Sequence, residues 1–328
     1  MKKLLTLVLG LGIATSALAQ DVSFEQYVEG LKKEARSDGI SEQVVTDAFK
    51  NVKYMPRAVK ADRNQPEKRL TLDEYIPKAV PAWKVAQAKK LYKKYYPELK
   101  KISDKYEVQP QYIVALWGVE SNFGKFTGRY NVIDALSTMA YDGRREAFFR
   151  GETIAALKIL QQGHIDIQDM KGSWAGAMGQ CQFMPSSYLA YAADGNGNGK
   201  KDIWHSPEDV FASTANYLHK SGWDDTHTWG RQVRLPKGFD AKLAGREESK
   251  SKLLSEWRKL GVTEYDGKAL PKLGDKDIKA WLVVPDDVKG RVYLVYNNYQ
   301  VLMKWNRSYY FATAVTHLAD AIKFDPVQ

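Results

Sequence analysis

Cysteine is almost absent from this 328-residue chain: Cys181 is the single one, and histidine is scarce at five. A lone cysteine excludes an intrachain disulfide. It reads more simply as a small buried apolar residue than as a nucleophile, since no partnered histidine is evident. No His-based zinc motif, no glycine loop that could cradle a phosphate and no Ser-His-Asp set stands out, so the common routes to metallohydrolase, nucleotide and serine-hydrolase chemistry have no residues to run on. Long apolar runs are lacking too. Beyond the first twenty residues nothing approaches the length of a membrane-spanning helix. There is no internal repeat and no low-complexity tract.

The first twenty residues are themselves informative. Lys2 and Lys3 precede an apolar run from Leu4 to Ile13, and Ala17-Leu18-Ala19 offers a small-x-small cleavage site. The run is too short to anchor in a bilayer, so residues 1–19 are expected to be an export signal cleaved after Ala19, delivering the chain to the periplasm without a stable membrane anchor. Cleavage removes two lysines and lowers the formal charge from +10 to +8. A basic exported protein is drawn to anionic polymers, of which nucleic acid, a membrane surface and cell wall are the candidates; an exported protein is not expected to meet nucleic acid. Tyrosine (19) and tryptophan (9) are plentiful. Most should be core, although a sugar-binding groove also needs flat apolar faces.

The most informative stretch is Gln109 to Gly124, QPQYIVALWGVESNFG. Pro110 suits the first turn of a helix. Ile113, Leu116, Trp117 and Glu120 recur at helical spacing and should share one buried face. Ser121, Asn122 and Gly124 then end the helix, with Gly124 free to take a positive φ. A lone Glu at the inner end of an apolar helix resists ionisation, and a carboxylic acid kept protonated near neutral pH is the tool for protonating a glycosidic oxygen. The pattern alone leaves equal room for a surface Glu or one paired with Arg.

Three further stretches carry signals. Arg144 and Arg145 stand just before a helical pattern, where the helix dipole disfavours cations; either they serve a carboxylate-bearing ligand, or Glu146 and other acids neutralise them. Gly172 to Tyr188, GSWAGAMGQCQFMPSSY, combines close-approach glycines with the amides of Gln180 and Gln182, and could equally be a tight helix–helix turn. Asp194 to Asp209, DGNGNGKKDIWHSPED, starts like a calcium loop: Asp194, Asn196 and Asn198 at positions 1, 3 and 5, Gly199 at the sharp turn, the Lys200 carbonyl next and Asp202 at position 9. Position 12 is His205 rather than a bidentate Glu, leaving Asp209 as a substitute. The loop reads as a weak site for structural Ca2+ or Na+, or as an Asn/Gly turn with no metal.

Around these, Phe24 to Leu31 and Val44 to Phe49 read as helices, the second capped by Ser41. Residues 56–72 look like a polar loop, Thr71 caps a segment that Pro77 interrupts, and 81–106 reads as a helix pair broken at Pro97. Residues 134–141, 146–162, 209–221 and 306–323 read as helices, while 231–235, 280–284 and 291–295 show strand character. The expected organisation is a helical domain over 20–100, a catalytic core over 101–228, a small β-containing subdomain over 229–303 and a C-terminal helix over 304–328 packing on the helical domain. The fold class is mainly α, with a small sheet (α+β).

Taken together, GVESNFG, DALSTMAY with Arg144-Arg145, SWAGAMGQCQFMPSSY, DGNGNG, TANYL and KWNRSYYFA make the chain resemble the membrane-bound lytic transglycosylase B family and its soluble relatives, from about Tyr75 to the C-terminal helix. The resemblance implies a lysozyme-like catalytic core and, as substrate, peptidoglycan glycan strands. It implies cleavage of the β-1,4 bond from N-acetylmuramic acid to N-acetylglucosamine with a 1,6-anhydromuramoyl product and no cofactor in the chemistry. Glu120 then matches the catalytic acid. Ser173, Gln182 and Asn306 match polar residues of the cleft, and Tyr75, Arg144, Arg145 and Tyr217 fall on cleft positions. Trp305 and Phe148 stand where Tyr is expected in relatives, so those hydroxyls are lost, and Gln180 and Cys181 stand where Tyr and Gly are common. The metal loop is a family feature, less acidic here. A monomer is expected, with proteins of the wall-synthesis machinery as further partners. The rival expectations are a hydrolytic muramidase, using Asp134, Asp142 or Glu146 as second carboxylate, and a non-catalytic wall-binding protein.

Overall fold

The computed structural model describes residues 22–64, 70–272 and 277–323. Residues 1–21, which include the expected export signal, and residues 324–328 lie outside them. Five helices lead to the centre of the molecule, and a sixth turns the chain into it. Ser23 opens α1 (Phe24–Ser37) with a capping box closed by Gln26, and Ser41 caps α2 (Glu42–Phe49). The stretch expected as a loop contains α3 (Pro56–Arg63), so that reading is corrected for its first half; residues 65–69 are outside the described set. Two signals are legible in hindsight: Pro56 sits in the first turn, and Ala58, Val59 and Asp62 are buried at helical spacing. Thr71 and Glu74 form a capping box for α4 (Leu72–Ala79), which runs through Pro77 rather than stopping there. α5 (Ala82–Lys94) and α6 (Tyr96–Tyr106) are the expected pair, with Pro97 in the first turn of the second.

α7 (Pro110–Ser121) runs through the middle of the body. Every residue from Tyr112 to Gly118 is buried, so the helix has no solvent face and its apolar run is continuous rather than amphipathic. It packs on α5, α6 and two later helices, α11 (Pro207–Lys220) and α14 (Tyr309–Lys323). Gly118 makes the closest approach possible: a Cβ there would come within 2.7 Å of the Phe123 ring and 3.0 Å of Leu318. A two-residue ribbon, β1 (Tyr130–Asn131) with β2 (Lys171–Gly172), brackets α8 (Val132–Tyr141) and α9 (Glu146–Gln161). α3 packs on α8. The glycine-rich segment is not a helix–helix turn. It folds back on itself through bridges pairing Met178 with both Gly172 and Phe183, then enters α10 (Pro185–Tyr191).

The sheet subdomain holds β3 (Gly230–Arg234), β4 (Lys252–Leu253), β5 (Thr263–Glu264), β6 (Lys279–Val283) and β7 (Val292–Val295), antiparallel in the order β4-β6-β7-β3-β5, with α12 (Leu254–Lys259) against them. Its two central strands are buried on both faces, and their alternation sorts them between two cores. Ala280, Leu282, Val292 and Leu294 join Leu254 and Trp257 in the small core. Trp281, Val283, Tyr293 and Val295 face the large helical core. The sheet is thereby clamped to α14, where the Tyr293 hydroxyl meets His317 Nε2 at 3.1 Å and Trp229 Nε1 donates to Asp320 at 3.0 Å. Burial holds the His317 imidazole at about 4, so it is neutral in that contact. The chain leaves the sheet by α13 (Asn297–Trp305), a helix the sequence pattern does not announce. Asn306 is therefore not the start of the last helix. It lies in an extended link (φ −142°, ψ 121°) between α13 and α14.

Candidate active site

The site grows from the end of α7. Past Ser121 the backbone turns left-handed three times in succession, at Asn122 (φ 51°), Phe123 (φ 60°) and Gly124 (φ 81°). Asparagine tolerates that region; phenylalanine rarely visits it, so the turn is held by its surroundings. Phe123 N donates to the Trp117 carbonyl at 3.1 Å, and Gly124 N donates to Ser121 Oγ at 2.9 Å. A side chain on Gly124 would run into Gln180, whose amide is fully committed: Oε1 accepts from Trp117 Nε1 at 2.7 Å and Nε2 donates to the Trp204 carbonyl at 2.8 Å. This bracing fixes the last turn of α7 and the residue it presents, Glu120.

Glu120 is partly buried against aromatic rings. Its Oε1 accepts from Trp305 Nε1 at 2.5 Å. Burial lifts the carboxyl from the ordinary range to about 7, with the indole N–H pulling the other way. Trp305 in turn lies between Phe183 (ring centroids 5.2 Å) and Tyr217 (4.7 Å), and Tyr217 stacks on Tyr191 at 4.5 Å. The Tyr75 phenol is pushed up by burial and then by the charge of Glu120, and Tyr75 packs edge-on against Tyr310 at 5.3 Å. Cys181 is buried, its thiol pushed up to about 12, and it hydrogen-bonds the Val210 carbonyl, which makes it the inert residue expected.

Of the residues singled out from sequence, the structure thus gathers Glu120, Tyr75 and Tyr217. Gln182 adjoins the same aromatic wall through Phe183. It sits at φ 51°, and its Nε2 donates to the Gly179 and Thr127 carbonyls at 2.8 and 3.1 Å. Ser173 is partly buried, with Oγ accepting from Ala177 N at 3.1 Å and from Ala175 N at 3.3 Å. Asn306 follows Trp305 and is exposed. Arg144 and Arg145 are held elsewhere: Asp62, whose side chain is fully buried, lies 2.6 Å from Arg144 Nη2 and 3.2 Å from Arg145 Nη2. The Arg145 guanidinium also covers the Phe149 ring at 4.7 Å. The pair is neutralised by an acid, as one reading had it, but the acid is Asp62 of α3 and not Glu146. Glu146 accepts from Tyr27 at 3.1 Å and lies 3.6 Å from Arg150. Both arginines keep about half of their side-chain surface exposed.

Two residues escaped the sequence reading. Asp62 was hidden in a stretch taken for loop. Trp305 was noted for a lost hydroxyl, although an indole also carries a hydrogen-bond donor.

None of the proposed second carboxylates is set beside Glu120. Asp134 accepts from Lys53 N at 3.3 Å, Asp142 pairs with Arg63 at 2.5 Å, and Glu146 is held as described. In the expected metal loop, Asp194 accepts from the backbone N–H of Gly197, Asn198 and Gly199. Asn196 and Asn198 accept from Asn198 N and Lys200 N. Asp202 caps Trp204 and His205, and buried Asp209 accepts from Gly195, Asn196 and Asp202. Among the described residues no group of three His, Cys, Asp or Glu side chains could hold a metal ion. The loop begins as a calcium loop does, but its acids are few and already bonded, and Lys200 and Lys201 offset them; the donor set does not fit a tightly held divalent cation. Among the described residues no helix is long and apolar enough to cross a membrane.

Comparison with known proteins fits this geometry. Residues 23–320 match the Transglycosylase SLT domain family. The chain is 32% identical over 229 residues to the membrane-bound lytic murein transglycosylase B of Escherichia coli (strain K12), a match that covers 68% of this chain and 59% of that relative. Among solved structures, SltB3 from Pseudomonas aeruginosa in complex with NAG-anhNAM-pentapeptide superposes with a TM-score of 0.88 at 42% identity, covering 92% of this chain and 80% of the other. Escherichia coli Slt35 in complex with calcium gives 0.77 at 27% identity, covering 93% and 94%. The helical body and the small sheet are shared with these solved structures, and the family match spans nearly the whole described chain: the chain belongs to the Transglycosylase SLT domain family.

Proposed function

We propose that the protein is a lytic transglycosylase that cuts peptidoglycan between N-acetylmuramic acid and N-acetylglucosamine without consuming water, leaving a 1,6-anhydromuramoyl end. The observation that carries this reading is a single carboxyl, Glu120, lifted to about 7 and held by the Trp305 indole, while the three candidate second carboxylates are bonded to other groups. One acid suffices if the substrate supplies the nucleophile. Glu120 protonates the departing glycosidic oxygen. As its carboxylate it then takes the proton from the muramic acid 6-hydroxyl while that oxygen attacks the anomeric carbon, so the bond broken to one oxygen is replaced by a bond to another and the proton returns to Glu120. The anhydro sugar bound to SltB3, to which this chain is 42% identical, supports the same outcome. Tyr217 and Trp305 offer stacking faces for sugar rings, Ser173, Gln182 and Asn306 offer polar atoms, and the exposed halves of Arg144 and Arg145 suit carboxylates of the peptide stem. An export signal over residues 1–19 would deliver the enzyme to the periplasm, where its wall substrate lies.

The hydrolytic alternative needs a second carboxylate to activate water, and its three candidates are each bonded away from Glu120. Digestion of purified sacculi followed by mass spectrometry decides between them, because the anhydro product is lighter than the hydrolysed one by one water. Fragments carrying that water would overturn the reading in favour of a muramidase; binding without release of fragments would reduce the protein to a wall-binding module.

A further inference from the structure

We propose that Trp305 is a positioning residue for Glu120: its indole N–H fastens Oε1 in both protonation states, which leaves Oε2 as the oxygen that gives up and regains the proton. The inference rests on Glu120 being the catalytic acid and deepens that reading. Its ground is geometric. Nε1 lies 2.5 Å from Oε1, and the indole is clamped by Phe183 at 5.2 Å and Tyr217 at 4.7 Å, so the donor cannot swing away without disturbing three elements.

An indole nitrogen donates and never accepts. A protonated Glu120 cannot therefore direct its O–H at Trp305, and the proton must sit on the other oxygen. The same restriction forbids position 305 from relaying a proton, which a tyrosine hydroxyl could do. The acid and base steps then pass through one atom, Oε2.

The donor also tunes the acid. A hydrogen bond to a carboxylate is stronger than one to the neutral acid, so Trp305 opposes burial and keeps Glu120 from becoming too weak an acid to protonate a leaving group. The titratable groups facing Glu120 from other elements are the Tyr75 phenol of α4 and the Cys181 thiol of the glycine-rich segment. Both are pushed up and carry no charge near neutrality, so neither competes for this role.

The test uses the full protein labelled with 15N-tryptophan. One indole N–H resonance is expected to move with a midpoint near pH 7 as Glu120 ionises. It should be missing in Trp305→Phe and stationary in Glu120→Gln. In Trp305→Phe, which keeps the ring stack, the alkaline limb of kcat/KM should move up by about one pH unit. Trp305→Tyr, which restores a donor, should bring it back toward the parent. No titrating indole, or a Trp305→Phe profile that overlays the parent, would overturn the proposal. The spectroscopic titration reports the contact whether or not Glu120→Gln is inactive. Retained activity in Glu120→Gln would instead sink the catalytic assignment, so the two failures are distinguishable.

Discussion

Among the carboxylates drawn out of water in this molecule, two are held in opposite ways. Asp62, on α3, is fully buried but faces Arg144 at 2.6 Å and Arg145 at 3.2 Å. Glu120, at the end of α7, faces an indole N–H and aromatic rings, and its carboxyl rises to about 7. The difference that matters is the company each keeps. A desolvated carboxylate set against two guanidiniums becomes a structural tie. One with a single neutral donor keeps its proton and becomes a reagent. Asp62 holds the turn between α8 and α9 and aims two half-exposed cations. In the proposed function, Glu120 does the chemistry that those cations would serve.

The sharpest way to break this comparison is to remove the proton from one side of it. Glu120→Gln should lower the release of soluble fragments from sacculi by on the order of a thousandfold or more, with the fold retained. It should also be more stable than the parent above neutrality. A carboxyl whose folded-state pKa is raised binds its proton more tightly when folded, so its unfavourable contribution appears as pH rises from about 4.5 to about 7 and persists above. At roughly 1.4 kcal/mol per unit, that is on the order of 3 kcal/mol. Urea midpoints measured from pH 5 to 8 should fall for the parent and stay flatter for Glu120→Gln. A parent whose midpoint is the same at both ends would mean that Glu120 ionises at no cost, and the contrast with Asp62 would vanish.

The other side breaks differently. Asp62→Ala leaves two arginines free to turn to solvent, so the loss should be about 2 kcal/mol of stability, the value of charge-assisted hydrogen bonds, without an unpaired buried charge left behind. If the arginines bind stem carboxylates, the same variant should raise KM for peptide-bearing glycan several-fold while leaving kcat and its pH profile near the parent. A fall in kcat with unchanged KM would place Asp62 within the chemistry, against the division drawn above.

How legible this was in the sequence depends on whether the signal is local. The α7 run, its terminating Asn122 and Gly124 and the caps at Ser41 and Thr71 are short-range patterns, and they read correctly. Glu120 was found because its helix names it. Asp62 was missed because its partners lie more than eighty residues away, and because its surrounding lysines and arginines look like loop until the buried Ala58 and Val59 are seen. Helix α13 was missed because Asn297 to Trp305 mixes polar and apolar residues, and its burial is created by the sheet and α14 closing around it. Trp305 illustrates a chemical miss rather than a geometric one: it was weighed as a tyrosine lacking its hydroxyl, when its own N–H fills the bond. Arg144 and Arg145 show that an odd placement against the helix dipole can signal a distant acid as readily as a ligand.

The smallest effect concerns a third buried carboxylate, Asp209, which is kept by neither cations nor an indole but by the backbone N–H groups of Gly195, Asn196 and Asp202. It completes the series: a carboxylate satisfied by fixed backbone donors has little left to offer a metal. Millimolar calcium should therefore raise the melting temperature by no more than about 2 °C, and a chelator should leave fragment release unchanged, whereas tight binding at a hundred times its Kd would add about 2.7 kcal/mol. Asn198→Asp restores an acid at the fifth position of the loop and adds one negative charge beside Lys200 and Lys201. That variant should acquire a calcium-dependent melting temperature larger than the parent's. If the parent already responds strongly, oxygen donors such as Asn196, Asn198 and the Lys200 carbonyl outweigh the bonded state of its acids, and hydrogen-bond saturation is not what weakens this loop.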